Sequence, residues 1–327
     1  MSDAFAPDED RAERPVRALG DRVLRWSPMQ PVFRAWASRR LAVLAYHAVD
    51  DPGRFAEHLD FLRRRTHPIS LDELMGAMDG GPRPERAVLI TFDDADRTVL
   101  EVAAPLLRER GLPAVAFVVA GLLDGDRPVW TAEVRRLVAL GGTAPGVPPL
   151  GPRDTARYMK GLPEGTRVEA LEELRQTGGP VVERQLRRED LLELEAAGVA
   201  VGNHTLTHPP LPTCTDEGLA EEIRRAHEVL ATSGVRAPTA FAFPEGAADG
   251  RARAVLRSLG YRAGFLFDHA VGPLPPADPM MISRVRADAD VDLDRLRIVI
   301  SGLHPAIHSV RTRVRRRAPA SAGRRST

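Results

Sequence analysis

From residue 41 to residue 303 the chain alternates short apolar runs with longer amphipathic stretches. Short, mainly apolar runs of five or six residues predict strands over residues 41–46, 87–92, 114–119, 199–203, 239–243 and 262–267, with a last short one near Val285. Between them, apolar positions recur at helical spacing over residues 55–65, 71–78, 97–110, 185–197, 216–231, 251–259 and 293–303. Ser70-Leu-Asp-Glu73 reads as a capping box. Gly111 with Pro113 closes one helix, and Gly198 closes another. Repeated strand–helix units imply a parallel sheet, and about seven of them suggest a closed or nearly closed α/β barrel. Residues 121–180 break the alternation. Gly141-Gly-Thr-Ala-Pro-Gly-Val-Pro-Pro149 is a loop, flanked by helical stretches near 131–140 and 166–177. An insertion of this size is either a lid or partner surface, or a peripheral elaboration.

Composition narrows the class. Hydrophobic content of 43% suffices for a sizeable core, and 46 basic against 45 acidic residues leave no global field pointing to nucleic acid. Lys160 is the sole lysine, and the single cysteine, Cys214, excludes a disulfide framework or Cys-rich metal site. No run reaches the roughly 20 apolar residues of a membrane span. Residues 1–15 carry five acids ahead of any apolar run, unlike a secretory signal, so the expected location is cytoplasmic. The extension over residues 1–40 contains Val23, Leu24, Trp26, Met29, Val32, Phe33 and Trp36 among arginines. It is either a helix packed on the outside of the barrel or a membrane-surface anchor. The tail, 304–327, holds seven arginines after residue 310 and no acid; it is expected to be disordered, with anionic lipid as a candidate contact.

Two constellations carry chemistry. Ala87-Val-Leu-Ile-Thr-Phe-Asp-Asp94 ends a strand in two adjacent carboxylates, at the end of the sheet where ligands sit. Like charges this close need a proton or a cation between them, unless the pair merely caps the next helix. Gly202-Asn-His-Thr-Leu-Thr-His208 also follows a strand, and its two histidines share a face if the turn between them is helical. Two imidazoles and one carboxylate would make an open three-ligand site for a divalent metal. The other carboxylate is then free to act as a base on a bound water.

Thr91-Phe-Asp-Asp94 and His204-Thr-Leu-Thr-His208, with Tyr46-His47 and Phe241-Ala-Phe-Pro-Glu-Gly246 in order around them, resemble the polysaccharide deacetylase family. This family is also called the NodB-homology family or carbohydrate esterase family 4, and the likeness is to its branch linked to extracellular and cell-wall polysaccharide. It spans residues 41–303. It implies a distorted (β/α)7 barrel, here with a helical and loop insertion at about 121–185. It also implies metal-dependent removal of acetyl groups from N-acetylated sugars of a polysaccharide or its precursor. The ion would be a divalent metal, zinc foremost, with cobalt, nickel and manganese as alternatives. By the resemblance Asp93 matches the general base, Asp94, His204 and His208 match the metal ligands, and the backbone N–H near Glu245, after Pro244, matches an oxyanion donor.

The chain also departs from that pattern. Glu245 stands where the family usually has an aromatic residue, so its carboxylate is expected to point away from the site, or the substrate to differ. No Asp–Arg partner for the base is evident, and Leu303-His304 has the wrong spacing for the late acid histidine. His47, after the first strand, is the better candidate to line the site as acid or substrate contact. His269 is a candidate for the rim. Trp130 is a candidate stacking platform for a sugar ring or a core residue of the insertion. His58, His67, His227 and His308 sit in polar contexts and receive no role. Two other functions stay open: a catalytically silent glycan-binding barrel, and a related amidohydrolase acting on a non-sugar amide.

Overall fold

The computed structural model describes residues 24–94 and 96–307. The acidic start, most of the tail, His308 and Ala95 lie outside the described residues. Helix α1 (Gln30–Ala37) leads into β1 (Arg40–Tyr46), α2 (Pro52–Arg65), β2 (His67–Pro68), α3 (Leu71–Met78) and β3 (Ala87–Phe92). The Ser70–Glu73 capping box forms as expected, each side chain taking the other residue's backbone N–H. A π-helical turn (Val99–Ala103) runs into α4 (Ala104–Arg110) and then β4 (Ala114–Val118). The insertion follows, with α5 (Trp130–Ala139), α6 (Pro152–Met159) and α7 (Glu164–Gly178). After it come α8 (Asp190–Ala196), β5 (Val199–Asn203), α9 (Asp216–Ala231), β6 (Ala240–Ala242), α10 (Gly250–Ser258) and β7 (Ala263–Phe265). The chain closes with β8 (Gly272–Pro273), β9 (Val285–Arg286) and α11 (Leu293–Ile300).

The strands form one curled sheet in the order β7-β6-β5-β4-β3-β1-β8, with β2 beside β3 and β9 beside β1. All pairings are parallel except β1 with β8. This is the distorted, helix-wrapped barrel that the strand–helix alternation predicts. Residues 282–287 draw its two ends together: Ile282 exchanges backbone hydrogen bonds with β7, while Ala287 donates to Ala45 of β1.

Two apolar layers follow from the period-two alternation of the strands. Leu41, Val43, Leu89, Val115, Phe117, Ala242 and Phe265 pack together in one. Ala42, Leu44, Tyr46, Ile90, Phe92, Ala116 and Val118 pack with residues of α2, α4 and α8 in the other. Continuing the first parity along β3 places Thr91 and Asp93 on the face of Leu89. The insertion has a core of its own, built on Trp130, Val134, Leu137, Met159 and Leu174.

Candidate active site

Asp93 stands where β3 ends. It accepts two hydrogen bonds from Arg284, Nη1 to Oδ1 at 2.6 Å and Nη2 to Oδ2 at 2.8 Å. Arg284 is 0% exposed, held by the Leu266 carbonyl on Nε at 2.6 Å and lying 5.4 Å from the Phe117 ring centroid. Gly202 gives that ring its room, since a Cβ there would stand 2.5 Å from Phe117 Cδ1. Burial works to raise the Asp93 pKa, but the charge of Arg284, with His204 and the paired hydrogen bonds, prevails and holds it well below the usual carboxylate range. Asp93 is therefore ionised, and the arginine partner that is not evident in the sequence is Arg284. Nothing marked Arg284 in the sequence: it is one of 46 basic residues, 191 positions from its partner.

Asp94 leaves the strand with φ 64°. Its Oδ1 is 3.7 Å from His204 Nε2 and 3.6 Å from His208 Nε2. Each residue offers a ligand atom within 4.8 Å of the others. His204 Nδ1 lies 2.8 Å from the Ala242 carbonyl, which fixes Nδ1 as the protonated nitrogen and turns the Nε2 lone pair towards Asp94. Burial holds His204 down at about 3 and lowers His208 as well, so both imidazoles are neutral. Burial pushes Asp94 up to about 6; nearby His47 opposes this, while Asp93, Glu245 and Asp96 add to it. Three acceptors thus face one another at separations too long for hydrogen bonds. Asp94 Oδ1 and His208 Nδ1 are buried without any hydrogen-bond partner among the described residues. A divalent cation fits this donor set: the Nε2 atoms of two neutral imidazoles stand 3.6–3.7 Å from a buried carboxylate oxygen that has no hydrogen-bond donor among the described residues.

The loop carrying the histidines is not helical, contrary to the turn that would have aligned them on one helix face. It is a bend, with Thr205 at φ 68° and His208 at φ 63°. Hydrogen bonds replace helical regularity. Asn203 Oδ1 accepts from Thr205 N at 2.7 Å, and Thr205 Oγ1 from His208 N at 3.0 Å. The Glu222 carboxylate accepts from Leu206 N, Thr207 N and Thr207 Oγ1 at 2.6–2.9 Å. Of the seven non-glycine residues with positive φ among the described residues, Asp94, Thr205, His208, Glu245 and His269 lie on the loops after the strands.

The insertion reaches this cluster twice. Trp130 Nε1 donates to the His208 carbonyl at 2.8 Å, and the indole is buried with Arg167 over its ring. Trp130 is thus not an exposed platform for a sugar ring: its hydrogen bond needs the indole inside. Lys160 Nζ pairs with Glu245 Oε1 at 2.7 Å. The carboxylate in the aromatic position is thereby neutralised by the sole lysine. Glu245 itself sits at φ 56° in the turn Pro244–Gly246, against Phe267. Phe267 is half-buried, with its ring 6.1 Å from that of His47 and 4.8 Å from that of His269. His47 is exposed. His304 lies on the short helical turn after α11 and is not part of this cluster.

A family model described as Polysaccharide deacetylase matches residues 80–264. The chain belongs to the polysaccharide deacetylase family. Poly-beta-1,6-N-acetyl-D-glucosamine N-deacetylase of Staphylococcus aureus (strain N315) is 38% identical over 53 residues, a match spanning 16% of this chain and 18% of that relative. Among solved structures, IcaB from Ammonifex degensii is similar with a TM-score of 0.56 at 21% identity, covering 81% of this chain and 97% of that one. The Streptococcus pyogenes deacetylase PplD in complex with acetate superposes with a TM-score of 0.57 at 16% identity, over 80% of this chain and 98% of that one. The barrel of this family member is the fold those proteins share.

Proposed function

We propose that this chain is a metal-dependent polysaccharide N-deacetylase, hydrolysing the acetamide of an N-acetylated amino sugar. The observation that carries this reading is the convergence of Asp94, His204 and His208 within 4.8 Å, beside an ionised Asp93 clamped by Arg284. A divalent ion on these three ligands, zinc by donor type, would polarise the acetyl carbonyl and acidify the attacking water. Asp93 accepts that water's proton, and Arg284 keeps it fixed and unprotonated beforehand. The backbone N–H of Glu245 is the candidate donor to the developing oxyanion, with the Lys160 pair removing the repulsion its side chain would bring. His47 is the candidate acid for the departing amine: its charge is felt at both Asp93 and Asp94. Phe267, between His47 and His269, is the aromatic surface left for a sugar ring. The N-acetylglucosamine polymer named for the staphylococcal relative is the first substrate to try. Acetate release from β-1,6-linked N-acetylglucosamine oligomers, assayed after chelation and after adding zinc, cobalt, nickel or manganese, tests the reading and ranks the metals. Oligomer binding with no acetate at any metal loading would instead favour a silent glycan-binding barrel.

A further inference from the structure

The face around α1 has no part in that chemistry and is built unlike the rest of the surface. Trp26 is 76% exposed, Met29 48%, Val32 58% and Trp36 46%. Large apolar side chains this open, on one short helix and its lead-in, mark an interaction surface rather than a core. The same stretch is cationic: residues 22–49 contain five arginines and no acid. Arg25 is held by Asp294 and Arg40 lies over the Trp36 ring at 4.0 Å. Arg34 and Arg39 are exposed, and no acid pairs with either among the described residues.

We infer that α1, with the exposed arginines that flank its apolar side chains, docks this protein on an anionic lipid bilayer surface. The side chains suit that partner. Tryptophans sit well at the boundary between headgroups and acyl chains, Met29 and Val32 add apolar area, and arginines on both sides meet lipid phosphates. Stable attachment of a peripheral protein takes two signals, one apolar and one basic, and α1 carries its open apolar side chains beside the exposed Arg34 and Arg39. A soluble acidic protein would satisfy the arginines but leave two tryptophans to find pockets. α1 ends at the amino end of β1, whereas Asp93, Asp94 and His204 follow the carboxyl ends of their strands. Docking by Trp36 therefore leaves the candidate active site clear.

The test is flotation of the full chain with vesicles of phosphatidylcholine alone, and of equal parts phosphatidylcholine and phosphatidylglycerol. The reading needs no turnover, so it stands or falls apart from the deacetylase assignment. The expected result is binding to the anionic vesicles, with a blue shift of tryptophan emission as two of the three tryptophans enter the interface. At about 1 M salt, where the screening length is about 3 Å, binding weakens sharply. The double variant W26A/W36A, and separately Val32→Asp at an open position, bind at least about tenfold more weakly. No binding to anionic vesicles at low salt would overturn the inference. So would undiminished binding by both variants, or a solution dimer that Val32→Asp dissociates, which would assign the face to a second copy.

Discussion

At the scale of single residues, the site is organised by what happens to two adjacent carboxylates in different surroundings. Asp93 is neutralised by Arg284, which can be neither exposed nor easily replaced. Arg284→Leu leaves a buried carboxylate unpaired, and such broken pairs cost about 3–5 kcal/mol. The apolar double variant Asp93→Leu/Arg284→Leu should recover most of that loss in urea denaturation, while Asp93→Asn abolishes acetate release. Asp94 has the opposite problem: metal-free, its pKa is pushed up to about 6 by burial, so a metal must compete with a proton there. Only the ionised carboxylate is a ligand, so the apparent metal affinity is fully present above pH 6. It should fall by about tenfold per unit as the pH drops below 6. His204 does not compete in this window, because it takes its proton only near pH 3, and burial shifts His208 in the same direction. Calorimetric zinc titrations at a series of pH values check the slope; a flat profile down to about pH 5 would remove Asp94 from the ligand set.

At the scale of elements, legibility followed sequence locality. Strand β3 and its acid pair, the Ser70 cap and α9 were readable because their signals lie within a few residues: an apolar run, a Ser–Glu spacing, acids in a first turn. His204 and His208 were readable as a pair, but the bend that aims them was not. It depends on Glu222, contributed by α9, and on left-handed backbone at two non-glycine residues. Arg284, Lys160 and Phe267 were invisible as site residues because only the curl of the sheet and the packing of the insertion bring them in. His58 was passed over as polar, yet it is buried, with Nε2 at the Val291 carbonyl and Nδ1 beside the Tyr46 hydroxyl. The insertion's tie to His208 yields a test. Trp130→Phe keeps the ring but removes the donor to the His208 carbonyl, a loss of about 0.5–1.5 kcal/mol in stability. If the tie positions the ligand, zinc affinity falls about tenfold or more, the range found when partners behind metal ligands are removed. A variant that loses stability but binds zinc as well as the native chain would make Trp130 a core residue only. Gly202→Ala is the matching test inside the barrel: a Cβ against the Phe117 ring should cost about 1–3 kcal/mol by overpacking.

At the scale of the whole molecule, the parallel sheet explains why chemistry from distant parts of the chain meets. Each of the parallel strands delivers its following loop to the same end, so residues 93, 204, 245 and 267 become neighbours there. Segment 282–287, bonded to β7 at one end and to β1 at the other, brings Arg284 onto Asp93. The insertion adds a helical layer that ties down the His208 carbonyl through Trp130 and pairs Lys160 with Glu245. The account rests on one centre in which Asp94, His204 and His208 hold the ion and Asp93 takes the proton. Its most direct test is acetate release from an N-acetylglucosamine oligomer by chelated protein during titration with zinc. The account predicts that acetate release returns with metal and saturates near one ion per chain, and that Asp93→Asn protein binds the same ion but releases no acetate. Acetate release that survives chelation, or that persists in the Asp93→Asn protein, would contradict it.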